Sequence, residues 1–252
     1  MEKARKQFVE RLQETPVIPG VKSRVDLKMA VDQGAQIIFI LTGSIFSLRE
    51  AVQYNQEHNG PDRALLFAHI DLLTGIGKDN EGLRYLASEI GINGILTTRS
   101  ALIKAGKKEG LITILRVFAV DSEALKTGLE TVHSAAPDAL EILPALVIPA
   151  IAHRLPFDRL PPVIAGGLLE NQEMVRTILK TPVVAVSASR PSVWKQPVKG
   201  RRRRPVPPDQ SMPPGHTPPS RSPATPVTSA TPATPATPTA RPPRDATALD
   251  KW

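Results

Sequence analysis

Cysteine is absent from the 252-residue chain, and aromatic residues make up only 4% of it. Without cysteine there is no disulfide framework, no thiolate nucleophile and no cysteine-ligated zinc or iron–sulfur site. Long apolar runs are also missing, since no stretch, residues 35–41 included, approaches the roughly 20 residues of a membrane helix. Residues 1–14 lack the apolar region of a signal peptide. We therefore expect a soluble, cytoplasmic protein with no membrane partner.

Proline and positive charge are concentrated at the C-terminal end of the chain. Residues 195–252 hold 15 of the 26 prolines, 10 of the 32 Lys and Arg residues, and 3 of the 24 Asp and Glu residues. Their net charge is therefore +7 of the overall +8, which leaves +1 for residues 1–194. Repeated Ala-Thr-Pro triplets disfavour both helix and sheet. We predict a folded domain over residues 1–194 and a disordered, basic, proline-rich tail over residues 195–252.

Short apolar, β-branched runs alternate with amphipathic stretches along residues 1–194, which is typical of a parallel sheet covered by helices. The predicted strands are residues 17–20, 36–42, 64–71, 94–97, 112–117, 139–143, 163–165 and 183–186. The predicted helices are residues 48–57, 81–90, 101–109, 122–133 and 171–179, with a short one at 189–194. This pattern predicts an α/β fold, a small (β/α)8 TIM-like barrel. An open, doubly wound sheet is the alternative.

Charged residues lie at or near the C-terminal ends of the predicted strands, where the βα loops of a barrel form its functional mouth. These candidates for charge or hydroxyl recognition are His69, Asp71, Arg99, Lys104, Arg116 and Glu141. The two carboxylates could accept hydrogen bonds from hydroxyl groups or act as a general acid and base. Arg99 could bind a charged ligand or form a salt bridge with Asp71 or Glu141.

Metal and cofactor sites are weakly indicated. His69 and Asp71 share one face of a strand and could be two metal ligands, but a third ligand is not evident. We therefore predict no metal, and expect His69 to be a hydrogen-bonded structural residue. The first strand is not followed by GxGxxG, which counts against a dinucleotide cofactor. Arg116 is predicted to point inward, toward a ligand or a carboxylate. The alternative is an outward position under a helix, where a buried cation would need an acidic partner.

Small residues follow the last two predicted strands. Gly166 and Gly167 would let the backbone approach a ligand closely, and Ser187 and Ser189 lie next to a short helix whose N–H groups could converge on an anion. Barrels commonly bind phosphate at these two loops. A tight turn and a helix cap would use the same residues. The order of the elements favours a phosphate site formed by these four residues.

Six segments occur in order along the domain. They are HIDLLTGI at 69–76, GILTTRSALIKA at 94–105, LRVFAVDSEA at 115–124, LEILP at 140–144, IAGGL at 164–168 and VSASRPSVW at 186–194. As a set they resemble the glycerol-3-phosphate-responsive antiterminators, which regulate glycerol uptake operons. The resemblance covers residues 15–194, and Ala145 stands where we expect a glycine. It implies a non-catalytic barrel that binds glycerol 3-phosphate and, when loaded, a leader mRNA.

Direct signals for RNA binding are few in residues 1–194, which have few aromatic residues and almost no net charge. The tail contains four consecutive arginines, Arg201, Arg202, Arg203 and Arg204. These could contact RNA phosphates without reading the base sequence, or they could belong to a solvated tail. If the ligand controls RNA binding, it must shift the protein between two states of different RNA affinity. A homodimer with a composite basic surface is one way to achieve this.

Two other functions stay open on the sequence. One is a small barrel enzyme that acts on a phosphorylated three- to five-carbon substrate, with Asp71 or Glu141 as the base and Lys104 as an electrostatic partner or amine. The other is a sensor whose proline-rich tail binds a protein partner.

Overall fold

Eight parallel strands close into a barrel in the computed structural model, which describes residues 2–59 and 63–194. The strands in chain order are β1 (Val17–Val21), β2 (Ile37–Ile40), β3 (Gly43–Ser44), β4 (Leu65–His69), β5 (Leu73–Thr74), β6 (Gly94–Thr97), β7 (Ile112–Phe118), β8 (Ala139–Leu143), β9 (Val163–Gly166) and β10 (Ala185–Ala188). β3 and β5 form a separate two-stranded sheet, and the other eight follow one another around the barrel in chain order. The predicted TIM-like barrel is thus confirmed, and the open sheet is not formed.

Helices connect successive strands and cover the barrel. They are α1 (Glu2–Glu14), α2 (Arg24–Asp32), α3 (Ile45–Asn59), α4 (Asn80–Tyr85), α5 (Ser100–Lys108), α6 (Ser122–Ala135), α7 (Ile148–Ile151), α8 (Gln172–Ile178) and α9 (Pro191–Trp194). A π-helical turn (Leu86–Ile90) follows α4, and 3-10 turns (Ala145–Val147 and Ala152–Arg154) flank α7. Of the helices in the described ranges, none has the length and apolar character needed to cross a membrane.

Helices α2, α4, α6 and α8 each begin at a side chain that accepts a hydrogen bond from a backbone N–H group of the first turn. The capping residues are Ser23 of α2, Asp79 of α4, Asp121 of α6 and Asn171 of α8. Such caps pair donors that would otherwise have no partner inside the helix. Two acidic residues of the βα loops, Asp79 and Asp121, are therefore engaged in starting helices.

Helix α1 closes the N-terminal end of the barrel. Phe8 and Leu12 are fully buried among the inward-facing residues of the strands, and the ring of Phe8 lies 5.1 Å from that of Phe67. Arg11 donates hydrogen bonds from Nη1 to the carbonyl oxygens of Gln36 and Arg63, at 3.1 and 2.7 Å. Because these two residues lie just before β2 and β4, the contacts fix the helix to the end of the barrel where the strands begin. The opposite end, where the strands finish, is the mouth.

The predicted elements differ from the structure mainly at their ends. Predicted strand 183–186 is β10, two residues later, and predicted strand 36–42 ends at Ile40. Predicted helix 81–90 is divided into α4 and the π-helical turn, which ends at Gly91 with a φ of 78°. The predicted tail and Arg201–Arg204 lie outside the described residues, so the predicted domain boundary stays a prediction.

Candidate functional site

Four polar side chains form a layer above the apolar interior of the barrel, at the mouth. His69, Arg116, Glu141 and Ser187 each lie two residues beyond an inward-facing apolar residue of the same strand, and so point into the barrel. They come from β4, β7, β8 and β10. The fold therefore brings together residues that are up to 118 positions apart in the sequence.

Glu141 is the centre of a buried network. Its carboxylate is 1% exposed, its Oε2 lies 2.5 Å from Nε of Arg116, and its Oε1 accepts a hydrogen bond of 2.5 Å from the Ser187 hydroxyl. Gly166 makes room for this arrangement, because a Cβ atom there would lie 2.5 Å from Oε1 of Glu141 and 2.6 Å from Oγ of Ser187. Both carboxylate oxygens are thus bonded within the protein.

Asp71 joins two loops at the rim of the mouth. Its carboxylate accepts hydrogen bonds from the Thr97 hydroxyl at 3.1 Å and from the Thr98 backbone N–H at 2.8 Å. It also forms a salt bridge with Arg99, whose Nε lies 3.3 Å away. Because these partners follow β6, Asp71 fastens the β4–α4 loop to the β6–α5 loop.

His69 is buried at the mouth, and one of its ring nitrogens lacks a hydrogen-bond partner in the part of the chain that the structure describes. Its side chain is 4% exposed, and among the described residues Nδ1 has no partner. Burial, together with the positive charge of Arg116, lowers the pKa of His69 to about 4, although Asp71 opposes the shift. The imidazole is therefore neutral at pH 7. No three His, Asp or Glu side chains of the described ranges are grouped closely enough to hold a metal ion.

The four residues predicted to bind phosphate lie on, or directly after, two neighbouring strands. Gly166 pairs with Ser187 in the register of β9 and β10, and Gly167 follows with a φ of 82°. Ser189 is exposed between β10 and α9. The structure thus brings the four together, but the Ser187 hydroxyl proton is directed to Glu141. Lys104 lies apart from them on the exposed face of α5, and forms no ion pair with either candidate carboxylate.

Sequence reasoning missed one wall of the mouth. The loops after β2 and β4 extend outward and pair as β3 and β5, and the Thr74 hydroxyl donates to the Gly43 carbonyl at 3.2 Å. Two-residue strands carry no periodic signal, so pattern analysis could not find them. Large apolar side chains are exposed on this wall and in the other loops of the mouth: Phe46, Leu72, Phe118, Val120, Leu146 and Leu168.

These features define an eight-stranded TIM-like barrel with a buried polar layer at its mouth. Residues 17–194 match the family model described as glycerol-3-phosphate responsive antiterminator. The chain belongs to this family.

The relatives and solved structures below match this chain over nearly all of their own length. YgcP, an uncharacterised protein of Escherichia coli K12, is 32% identical over 183 residues, which are 73% of this chain and 93% of the relative. The solved glycerol uptake operon antiterminator regulatory protein of Listeria monocytogenes is 27% identical with a TM-score of 0.64, covering 71% of this chain and 94% of that one. An antiterminator-related protein of Thermotoga maritima is 28% identical with a TM-score of 0.63, covering 72% and 99%.

Proposed function

We propose that the protein is a transcriptional antiterminator that binds glycerol 3-phosphate at the barrel mouth and a leader mRNA, and so controls glycerol-uptake genes in the cytoplasm. The family supports this assignment. One observation at the site carries the choice of binding over catalysis: both carboxylates that could serve as a base, Asp71 and Glu141, are bonded to neighbouring protein groups. A general base must instead be within reach of a substrate proton.

The phosphate group is assigned to Gly166, Gly167, Ser187 and Ser189. The loops after β9 and β10 lie side by side, and their backbone N–H groups can act together on an anion. The glycerol part and the remaining charge are assigned to the neighbouring polar layer of His69, Arg116 and Glu141, with Asp71 and Arg99 at the rim. Lys104 is a charged neighbour on α5 that would act at longer range.

A thermal-shift titration of the full chain tests the ligand. A ligand that binds only the folded state stabilises it by RT ln(1 + [L]/Kd), about 2.7 kcal/mol at 100 times Kd. We expect glycerol 3-phosphate to raise the melting temperature at concentrations where glycerol and inorganic phosphate do not. An equal shift with inorganic phosphate would show a generic anion site, and no shift would overturn the proposal.

RNA binding is proposed from the family and from Arg201, Arg202, Arg203 and Arg204, which lie outside the described residues. If these arginines contact RNA phosphates, replacing all four with serine reduces the salt dependence of poly(U) binding, by about 0.7 in log–log slope for each lost contact. An unchanged slope would assign RNA binding to the barrel alone. Leader RNA of a glycerol uptake operon, titrated with and without glycerol 3-phosphate, tests the control by ligand.

A homodimer is part of the proposal, because two copies would place two basic segments on one RNA. Analytical ultracentrifugation with and without glycerol 3-phosphate tests this, and a monomer under both conditions would exclude the dimer.

A further inference from the structure

The strongest unexplained feature of the mouth is the missing hydrogen bond of His69. The side chain points into the barrel on the same face of β4 as Leu65 and Phe67, and it is 4% exposed. Its Nδ1 atom has no partner in the described ranges. A buried polar atom without a partner is energetically costly, and such atoms are uncommon in folded proteins. A group from outside the chain would supply the missing bond.

His69 faces the proposed phosphate loops across the mouth. Around the closed barrel, three strands separate β4 from β9 in either direction. The last residues of these two strands, His69 and Gly166, therefore lie on opposite walls. A ligand whose phosphate is held at the β9 and β10 loops extends its other end toward β4.

Arg116 lies between these walls, on β7, which is midway between β4 and β9. Its Nε is fixed by Glu141, but within the described residues its two Nη atoms form no hydrogen bond, and its side chain is 13% exposed. The bond to Glu141 fixes the orientation of the guanidinium group before any ligand arrives. Its free N–H groups thus form one flank of the same space and can donate to ligand oxygens.

A neutral imidazole has one donor and one acceptor nitrogen. A hydroxyl group matches it, since a hydroxyl both donates and accepts, whereas a carboxylate offers only acceptors. Burial, and then the charge of Arg116 nearby, keep His69 in this uncharged form. The wall at β4 is therefore suited to a hydroxyl, which can pair with either ring nitrogen whether that nitrogen donates or accepts.

We propose that His69 is the specificity-determining residue of the mouth, and that it selects a small polyol monophosphate by hydrogen-bonding the hydroxyl farthest from the phosphate. In this arrangement Arg116 donates from its Nη atoms to the middle of the ligand. The inference rests on the ligand site proposed above and adds a role for one residue.

The test compares glycerol 3-phosphate with n-propyl phosphate, which has the same length and charge but no hydroxyl on its carbons. Isothermal titration of the full chain uses the wild type, His69→Leu and, as a matched control, His133→Leu on the exposed surface of α6. We expect wild type and His133→Leu to prefer glycerol 3-phosphate. His69→Leu loses about tenfold in affinity for glycerol 3-phosphate, the size of one net hydrogen bond, and binds n-propyl phosphate as before.

The outcomes separate this inference from the proposed function. Selective binding of glycerol 3-phosphate that His69→Leu retains would overturn the role of His69 and leave the proposed function intact. A wild type that binds neither phosphate would overturn both. If His69→Leu does not fold, NMR of the 15N signals of the His69 ring in the wild type, recorded with each phosphate, tests the inference instead. A change with glycerol 3-phosphate but not with n-propyl phosphate supports the inference, and equal changes would reject it.

Discussion

Arg116 and Glu141 occupy paired positions on β7 and β8, and their side chains meet inside the barrel with 2.5 Å between Nε and Oε2. Burying two charges is costly, and the attraction between them offsets that cost only while both are present. Glu141→Leu leaves a guanidinium group unpaired, and we expect it to lower the free energy of unfolding by about 3–5 kcal/mol. The double variant Arg116→Met with Glu141→Leu recovers most of this loss.

Urea unfolding of Glu141→Leu, Arg116→Met, the double variant and the wild type measures the coupling between the two residues. The double variant is also expected to lose binding of glycerol 3-phosphate, because the Nη donors are gone. A double variant as unstable as Glu141→Leu alone would show that the pair is not the source of the loss.

Gly166 is required by the space that its neighbours occupy. Gly166→Ala places a methyl group against Glu141 and Ser187, and we expect a loss of about 1–3 kcal/mol, as for other overpacked interiors, together with weaker binding of glycerol 3-phosphate. Gly34→Ala is the control, since its φ is +74° and nothing lies within 4 Å of the added atom. It should cost about 1 kcal/mol through the backbone and leave ligand affinity unchanged. Equal effects of the two variants on binding would contradict this role of Gly166.

The strands were the most predictable elements of the fold. Residues 94–97 and 139–143 are strands with the predicted ends, because apolar, β-branched runs between polar residues carry most of the signal. β10 begins two residues later than predicted, since pairing of Val186 with Val17 and of Ala185 with Ile164 sets its position. That information belongs to the neighbouring strands and is absent from the local sequence.

Helix α1 and the partners at the mouth could not be predicted in the same way. Only Phe8, Arg11 and Leu12 of α1 are buried, so most of its length shows no apolar face, and it precedes the residues that match the family model. At the mouth, the ends of predicted strands indicated that His69, Arg116 and Glu141 would lie together, but Lys104, predicted with them, lies apart on α5. The strand ends did not show that Glu141 would bond to Arg116 and Ser187, because that depends on side-chain distances within the closed barrel.

Phe8 gives a test of the closing role of α1. Its side chain is fully buried against Phe67, so we expect Phe8→Ala to cost about 3–5 kcal/mol. Phe46→Ala removes the same group from a side chain that is 76% exposed at the mouth, and should change the free energy of unfolding by less than about 1 kcal/mol. Chemical denaturation of both variants makes the comparison. Similar losses would mean that α1 contributes little to the closed barrel.

Ala136 ends α6 in the left-handed region, with a φ of 49°. A side chain with a Cβ atom is strained there, and glycine is the residue that usually ends a helix in this way. Ala136→Gly is expected to raise the free energy of unfolding by about 0.5–1 kcal/mol without affecting ligand affinity, because the residue lies at the end of the barrel away from the mouth. A thermal melt and a titration with glycerol 3-phosphate check both parts. A lower melting temperature would contradict the prediction.

The low pKa of His69 makes stability depend on pH in a defined range. The folded protein keeps this ring neutral down to about pH 4, whereas the ring in the unfolded chain takes up a proton near its ordinary value of 6.5. The unfolded state therefore binds more protons than the folded state as the pH falls. The contribution of the neutral His69 ring to the free energy of unfolding is thus complete above about pH 7, declines from pH 6.5 to 4 and changes no further below that. Its full size is on the order of 3 kcal/mol, at about 1.4 kcal/mol for each pKa unit. Urea unfolding between pH 4 and 7 should show a steeper decline for wild type and His133→Gln than for His69→Gln, whereas three parallel profiles would assign the acid sensitivity to other groups.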